Sequence, residues 1–496
     1  MALWAAALSV GAITFFLRAF RLGVSWDIFV DEITYARISQ SAAQNLEVTL
    51  FGNPFYLHPP LFFFLEGAYL QLIDPAGGLI DQIYDARYLN AAFAGLSAVV
   101  LFGIGRCLTG WPVGFAAALI FALDPFVIKM NSRNLIESSA LLWVLLGYLV
   151  LFSALVRTPS ERGNKRGRIS AWRAIMAGVL FGLALLSKDT TAFVTLLPLG
   201  ACFVLGWAIS RRRSFVAGVV AVLVYLPYPL VVWAIGDWPD FSYQKFQGAL
   251  RLAGIFHETG FNQEGGRSFI DAIISNLDEF ATTYFLLGAG ALSVLVLIFL
   301  GERTPVIRLF LAWVASAYSL LAYIVLLGAL EEQFFYYLIV PAILVTVAAV
   351  AFLLRSRTTG GRTRQALLAV TAILAVAFVS WSGYVWTRVH FTPDNGYERV
   401  VAYFEKNAPE DSTIAVTSDV AQFLLGDKSI KYGTPEDLRE NDVEYVVVSS
   451  SLIEQGYSEA TPEFYAYVED QGEVVYGFEG RSFGLTLVYQ LPENPS

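Results

Sequence analysis

Apolar runs of about 20 residues recur through the first 386 residues and constrain the fold more than any other feature. The chain has 496 residues, of which 56% are hydrophobic and only 15% are charged. Runs of this length are long enough to cross the hydrocarbon core of a bilayer as helices. The sequence therefore predicts a polytopic α-helical membrane protein and excludes an ordinary soluble globular protein.

We predict about eleven transmembrane helices and a cytoplasmic N-terminus. The helices lie near residues 2–20, 88–106, 112–130, 138–156, 171–187, 190–210, 214–235, 281–300, 307–329, 335–354 and 366–386. A twelfth run, Leu61–Ile73, is too short for a crossing and is interpreted as a re-entrant or interfacial helix. The first segment lacks a small-residue cleavage site, so we interpret it as a retained helix and not as a signal peptide.

The basic residues of the connecting loops support this count. With eleven spans, four basic connectors fall on the cytoplasmic side, as the positive-inside rule requires: residues 157–173, 211–213, 303–308 and 355–364. Counting Leu61–Ile73 as a full span would place all four outside. The first outer loop, residues 21–87, the loop at 236–279 and the C-terminal tail then face outward from the plasma membrane.

The tail differs from the rest of the chain in charge. Residues 387–496 contain 20 acidic and 7 basic residues, a net charge of −13, whereas the whole chain carries −9, so residues 1–386 carry +4. After a linker at 390–393, a helix at 400–406 and β-rich runs at 413–418, 443–449 and 485–491 predict a small extracytoplasmic α/β domain. We therefore divide the chain into a transmembrane catalytic domain, 1–386, and an acidic soluble domain, 387–496.

The sequence does not indicate a nucleic-acid partner, a disulfide framework or a cysteine metal cluster. No basic patch in a soluble region indicates a nucleic-acid partner. The two cysteines, Cys107 and Cys202, lie in or beside predicted spans and indicate neither a disulfide framework nor a metal cluster.

Two adjacent carboxylates, Asp31 and Glu32, follow the first span. Acidic groups so close to a membrane cost free energy and usually mark a functional site. A positioned carboxylate can remove a proton from an attacking hydroxyl, and Tyr35 lies one helical turn beyond Asp31. The pattern is equally typical of an Asp31 that simply caps a helix. The pair could also bind a divalent metal, although no cofactor is required.

Other polar residues of the outer loops are candidates for binding a substrate. His58 opens a His-Pro-Pro-Leu helix start and would on its own be typical of a surface histidine. Arg133 suits bidentate binding of phosphate oxygens, but with Glu137, four residues on, it could simply form an ion pair at a helix end. Lys188, in a short turn between spans, needs an anionic partner unless it snorkels to the interface.

Two further segments mix aromatic and charged residues. The loop at 236–279 would suit a sugar or a lipid headgroup, without roles for its members: Trp238, Tyr243, Lys245, Arg251, His257, Glu258 and Arg267. Glu331-Glu332-Gln333 precedes an aromatic run, which is equally typical of a wet loop beside an aromatic belt.

Taken in order, these segments resemble the GT-C glycosyltransferases of the protein O-mannosyltransferase and lipid A aminoarabinose transferase superfamily (glycosyltransferase families 39 and 83). The resemblance covers most of residues 1–345. It is carried by Arg18–Leu22, Trp26 to Ala36, His58–Leu61, Arg87, Pro125 to Glu137, Leu186–Thr190 and Phe335 to Pro341. The resemblance implies an inverting transfer of a sugar from a polyprenyl-phosphate donor to a glycan, lipid or protein acceptor on the outer face.

The resemblance also implies roles for single residues. Asp31 matches the catalytic acidic residue, and Glu32 supports it or orients the acceptor. His58 and Lys188 match positions near the donor phosphate or the site wall. The predicted substrate-binding residues are Tyr35, His58, Arg133, Glu137 and Lys188. Arg133 and Glu137 match an Arg-Asp pattern. Glu137 stands where Asp is usual, and Gln333 stands where a basic residue is usual.

Other functions are compatible with the same spans. A transporter or flippase for a lipid-linked glycan would use a similar cleft without a base, and inverted internal repeats, which would favour it, are not visible. An oligosaccharyltransferase of the same fold would carry a Trp-Trp-Asp-Tyr-Gly signature, which this sequence lacks. The tail could serve only to bind the acceptor or a partner.

Overall fold

The computed structural model describes residues 2–156, 169–255, 269–301, 304–327, 332–356, 361–409, 411–454, 458 and 460–492. The predicted loop residues His257, Glu258, Arg267 and Glu331 lie outside this part of the chain. The first 391 residues form helices α1 Ala2–Ala19, α2 Leu22–Ser25, α3 Val30–Asn45, α4 Leu61–Ile73, α5 Leu79–Leu108, α6 Trp111–Leu123, α7 Pro125–Asn131, α8 Ile136–Leu155, α9 Ala171–Ser187, α10 Ala192–Leu205, α11 Arg211–Tyr225, α12 Pro227–Ile235, α13 Trp238–Leu252, α14 Phe269–Ser275, α15 Leu277–Leu300, α16 Pro305–Leu326, α17 Glu332–Arg355 and α18 Gly361–Phe391. A small hairpin, β1 Thr49–Leu50 and β2 Asn53–Pro54, follows α3.

The helices agree with a multispan membrane protein. In the described residues, seven helices are long and apolar enough to cross a membrane, with α11 and α12 counted together as Arg211–Ile235. The number is eight if α6 and α7 also count as one span. Each of the eleven predicted spans contains a helix, but α1, α9 and α10 belong to the shorter apolar helices. The short helix predicted at Leu61–Ile73 is confirmed as α4.

One predicted span is bent. The run at 112–130 breaks into α6 and α7, which differ in direction by 67°. Asp124 ends α6 in extended backbone and accepts a hydrogen bond from the Val127 N–H, so it caps α7. Pro125 follows at the first helical position, where its missing N–H costs nothing. This bend directs the chain toward Arg133 at the outer face of the predicted topology.

Glycines set the closest helix contacts in the bundle. A Cβ on Gly95 of α5 would lie 2.9 Å from the Gly11 carbonyl oxygen of α1, and a Cβ on Gly105 would lie 2.7 Å from the Gly114 Cα of α6. Small residues let helix backbones approach each other where lipid provides no hydrophobic drive. These contacts hold α1 and α6 against α5, the helix that carries Arg87.

The C-terminal domain is an α/β domain, as predicted. It contains α19 Gly396–Asn407, β3 Ile414–Val416, α20 Asp419–Leu425, β4 Ser429–Lys431, α21 Pro435–Glu440, β5 Tyr445–Ser449, α22 Ser450–Glu454, α23 Pro462–Gln471, β6 Glu473–Gly480 and β7 Gly484–Gln490. The sheet order is β4-β3-β5-β7-β6, with β3 parallel to β4 and β5 and the other pairs antiparallel. The sequence prediction missed β4 and β6.

The domain is joined closely to the first outer loop. Helix α18 continues past residue 386 to Phe391, so His390 is a buried helical residue and the predicted linker at 390–393 begins too early. Ile33 of α3 and Ile83 of α5 belong to the same buried apolar cluster as Tyr397 and Val447. The first outer loop therefore shares a hydrophobic core with the C-terminal domain.

Candidate active site

Helix α3 carries the adjacent carboxylates in its first turn. The residue before the helix is Phe29, and its N–H donates to Glu32 Oε2 at 3.1 Å. Glu32 therefore satisfies the helix N-terminus, and the alternative that Asp31 is the capping residue is wrong. Asp31 remains half-buried and turns toward α17.

Glu32 is fully engaged by the protein. Its two oxygens accept from Arg87 Nε and Nη2, both at 2.8 Å, and Oε1 also accepts the Asn134 N–H at 2.7 Å. Both charged side chains are completely buried. Burial alone would raise the pKa of Glu32, but the Arg87 guanidinium more than offsets it and holds that pKa below its usual value. These contacts favour a structural role for Glu32, which ties α3 to α5.

Asp31 belongs to a chain of polar contacts that crosses the site. Gln333 Nε2, on α17, donates to Asp31 Oδ2 at 3.0 Å. Lys188 Nζ donates to Gln333 Oε1 at 2.8 Å and also forms an ion pair with Glu137 of α8. The structure thus brings together the predicted residues Asp31, Lys188 and Glu137. Gln333, which departs from the family pattern, is the residue that connects them.

Basic side chains converge next to His58. The His58 ring lies 5.9 Å from the buried Tyr35 ring. Burial, with the charges of Lys188, Lys245 and Arg251, lowers the pKa of His58 well below its ordinary value. His58 is therefore neutral at pH 7. We call Lys188, Lys245 and Arg251 the cationic cluster.

Helix α13 supplies two members of the cationic cluster. Lys245 Nζ donates to the Leu57 carbonyl at 3.2 Å and pairs with Asp189. Gln244, the preceding residue, accepts the Tyr56 N–H at 2.7 Å through its side chain. These bonds hold α13 against the segment that leads into His58. From the sequence, Lys245 and Arg251 were assigned to the loop at 236–279, but neither was given a role.

Arg133 lies apart from the cationic cluster. It precedes α8 and does not pair with Glu137, so the predicted ion pair at a helix end is wrong. Its guanidinium lies 5.6 Å from the Trp26 ring and 5.4 Å from the Phe29 ring, and it is only 6% exposed. Its Nη2 donates to Ser482 Oγ at 3.2 Å. A residue of the C-terminal domain therefore helps to hold Arg133 beside α3.

The turn between β6 and β7 secures this domain to the membrane half. Ser482 donates its N–H and its hydroxyl to the Asp394 carboxylate at 3.1 and 2.7 Å. Arg481 also donates to Asp394, forms an ion pair with Glu279 of α15 at 2.8 Å and lies 4.4 Å from the Trp26 ring. The Asp394 N–H in turn donates to a carbonyl of α2.

Asp27 makes this interface sensitive to pH. Burial, with the nearby Asp394 carboxylate, raises the pKa of Asp27 to about 8, whereas an unfolded aspartate titrates near ~3.9. The folded protein then keeps a proton that the unfolded chain releases. The contribution of Asp27 to stability is therefore fully present below about pH 4 and is lost as the pH rises through about 8.

We expect Asp27→Asn to remove this dependence, because asparagine does not titrate in this range, while its side-chain oxygen still accepts from the Ile28 and Tyr397 N–H groups. Melting curves of the detergent-solubilised protein at pH 5, 7 and 8.5 measure it. The variant should be more stable than the wild type at pH 8.5, by on the order of a few kcal/mol. Asp411→Asn, at an exposed carboxylate, is the matched control. Equal pH slopes for the wild type and Asp27→Asn would contradict the assignment.

A divalent metal at Asp31 and Glu32 stays a prediction that the geometry does not favour. Arg87 engages both Glu32 oxygens. Across the described ranges, no three His, Cys, Asp or Glu side chains are grouped so that they could hold a metal ion.

Comparisons with known proteins agree with this architecture. Residues 57–233 match the family model of dolichyl-phosphate-mannose-protein mannosyltransferase. A comparison of the sequence with curated proteins gives no match. The crystal structure of ArnT from Cupriavidus metallidurans bound to undecaprenyl phosphate is similar, with 13% identity and a TM-score of 0.57, over 99% of this chain and 98% of that one. The oligosaccharyltransferase AglB from Archaeoglobus fulgidus, in complex with an inhibitory peptide and a dolichol-phosphate, has 12% identity and a TM-score of 0.55, over 98% of this chain and 74% of that one.

The protein is a multi-pass membrane glycosyltransferase with a GT-C fold. Within that class it is similar to the protein O-mannosyltransferases and to ArnT, a family that uses lipid-phosphate-linked sugar donors. The resemblance expected from the motif series is thereby confirmed. The structural likeness itself extends only to the fold, because the identities are 12–13%.

Proposed function

We propose that the protein transfers a sugar from a polyprenyl phosphate to an acceptor hydroxyl, with inversion at the anomeric carbon and Asp31 as the base. The observation that carries this proposal is the path from Asp31 through Gln333 to Lys188. A half-buried carboxylate at one end of Gln333 and Lys188, a member of the cationic cluster, at its other end match the two needs of the reaction. Those needs are a proton acceptor and a binding site for a leaving phosphate.

The reaction requires a single displacement. The acceptor oxygen attacks the anomeric carbon, the bond from that carbon to the phosphate oxygen breaks, and polyprenyl phosphate leaves. The hydroxyl proton moves to the Asp31 carboxylate. The phosphate that leaves gains negative charge in the transition state, and the cationic cluster stabilises it. His58, neutral beside the cluster, adds a hydrogen-bonding group without adding to the positive charge.

The predicted topology supports a reaction on the outer face of the plasma membrane. Asp31, His58 and Lys245 all belong to loops that the positive-inside rule assigns to that side. The C-terminal domain lies on the same side, where its turn contacts Arg133. Arg133 and this domain then form the wall on the acceptor side, for a glycan, lipid or protein acceptor. Glu32 and Glu137 act by holding α3 and Lys188 in position.

A transfer assay tests the proposal. Purified protein in nanodiscs is incubated with polyprenyl-phosphate sugars labelled in the sugar and with a panel of hydroxyl acceptors. We expect the label to appear in an acceptor with inverted anomeric configuration and free polyprenyl phosphate to form in equal amount. Retained configuration, or movement of the intact donor across the bilayer without cleavage, would contradict it.

If the cationic cluster binds the donor phosphate, removing one of its charges should weaken donor binding. Lys245→Ala should raise the KM for the donor by about tenfold or more, because one charge-assisted bond to the phosphate is lost. Saturation kinetics and binding of undecaprenyl phosphate measure the change. Lys406→Ala, at an exposed lysine of the C-terminal domain, is the control and should behave as wild type. An unchanged KM in Lys245→Ala would remove α13 from the donor site.

A further inference from the structure

A groove of about 370 Å³ runs between α10 and α11 on the surface of the helix bundle. Its walls are apolar and include Leu199 and Phe203 of α10 and Val222 of α11. Gly200 and Gly218 also line it, and a Cβ built on either glycine would meet no heavy atom within 4 Å. The two glycines therefore leave open space in which an extended hydrocarbon chain can pack.

Ser214, in the first turns of α11, lines one end of this groove. The residue is 2% exposed, and its Oγ has no hydrogen-bond partner among the described residues. A buried hydroxyl without a partner costs about 1–3 kcal/mol. A ligand that brings a polar atom to this end of the groove would recover that cost.

Positive charge collects at the same end. Arg211, Arg212 and Arg213 form the first turn of α11, and no carboxylate of the described residues forms an ion pair with them. Helical spacing puts Arg211 on the face of Gly218 and puts Arg212 on the face of the groove residue Val219. The helix N-terminus adds a partial positive charge.

We propose that this groove binds an anionic bilayer phospholipid, with one acyl chain between α10 and α11 and the phosphate at Arg211 and Arg212. The arginines select the occupant, because a zwitterionic headgroup would bring its own cation against them. Ser214 then lies at the depth of the ester groups, between the phosphate and the chain. By the predicted topology the site faces the cytoplasmic leaflet, on the other side of the membrane from Asp31.

Lipid titrations of the delipidated protein in detergent test the site. Dioleoyl phosphatidylglycerol should bind at least about tenfold more tightly than dioleoyl phosphatidylcholine, by native mass spectrometry, and should raise the Tm more. The double variant Arg211→Gln/Arg212→Gln should lose this preference. Gly218→Leu, which fills the groove, should lower phosphatidylglycerol binding by about tenfold or more.

Two variants on α18 serve as matched controls. Gly383→Leu adds the same side chain at another glycine with no heavy atom within 4 Å, and Arg362→Gln removes an exposed arginine. Both should bind phosphatidylglycerol as wild type does. Equal wild-type affinity for the two phospholipids, or equal binding by Gly218→Leu and Gly383→Leu, would overturn the proposal. So would displacement of the phosphatidylglycerol by an equal concentration of undecaprenyl phosphate. The double arginine variant keeps the test valid if Gly218→Leu fails to fold.

Discussion

Asp31→Asn is expected to lower kcat for sugar transfer by at least about 100-fold, because general base catalysis contributes roughly that factor or more. Asparagine keeps an oxygen that can accept the Gln333 N–H, so the bridge to Lys188 is preserved. The KM for the donor should therefore change little. Initial rates with a labelled donor and the best acceptor measure both constants.

The control for this variant is Asp74→Asn in the same outer loop. Asp74 is exposed and has φ of 48°, a left-handed conformation that asparagine adopts readily. It should retain wild-type kinetics and melting temperature. If Asp31→Asn transferred sugar at the wild-type rate while folded and inserted, Asp31 would not be the base. A large rise in donor KM without a fall in kcat would instead make Asp31 a binding residue.

Arg87→Ala is expected to lower the free energy of unfolding by about 3–5 kcal/mol, because it leaves the Glu32 charge buried without its partner. The same substitution also removes the bonds from Arg87 Nη1 to the Leu22 and Trp26 carbonyls, at 2.8 and 2.9 Å. Arg87→Lys should recover only part of the loss, since lysine cannot form the bidentate pair.

Denaturant unfolding in detergent, monitored by size-exclusion chromatography, measures the decrease in the free energy of unfolding. Arg106→Ala, at an exposed arginine near the end of the same helix, controls for removing an arginine from α5. That control should stay within about 0.5 kcal/mol of the wild type. Equal stability of the two alanine variants would mean that the Glu32–Arg87 pair does not hold α3 in place.

The helices of the membrane half were predicted well from the sequence. A long apolar run that crosses a bilayer must satisfy its own backbone hydrogen bonds, and an α-helix does so. The sequence prediction missed the bend at Asp124-Pro125, although the Asp-Pro pair is a cap followed by a preferred first helical residue. It missed β4, which has three residues, and β6, which lies at the sheet edge. Edge strands bury few side chains and so give a weak apolar pattern.

The candidate site was predicted less completely, for a physical reason. Spacing along a helix gave Arg133 and Glu137 a shared face, but α8 begins only at Ile136, so the spacing did not apply. The contact from Gln333 to Asp31 joins residues 302 positions apart, and no local pattern indicates it. The resemblance to a family indicated the acidic pair, but only the structure shows that Arg87 and the Asn134 N–H hold Glu32 and that Gln333 contacts Asp31.

The hydrophobic core shared by the first outer loop and the C-terminal domain has a consequence for the order of synthesis. Tyr397 leaves the ribosome 364 residues after Ile33, which packs in the same cluster. At ~5–20 residues per second, the helix that bears Asp31 waits roughly 20–70 s for its packing partner. The helix that bears Asp31 therefore gains its complete packing only after the C-terminal domain has been synthesised and has folded against the first outer loop.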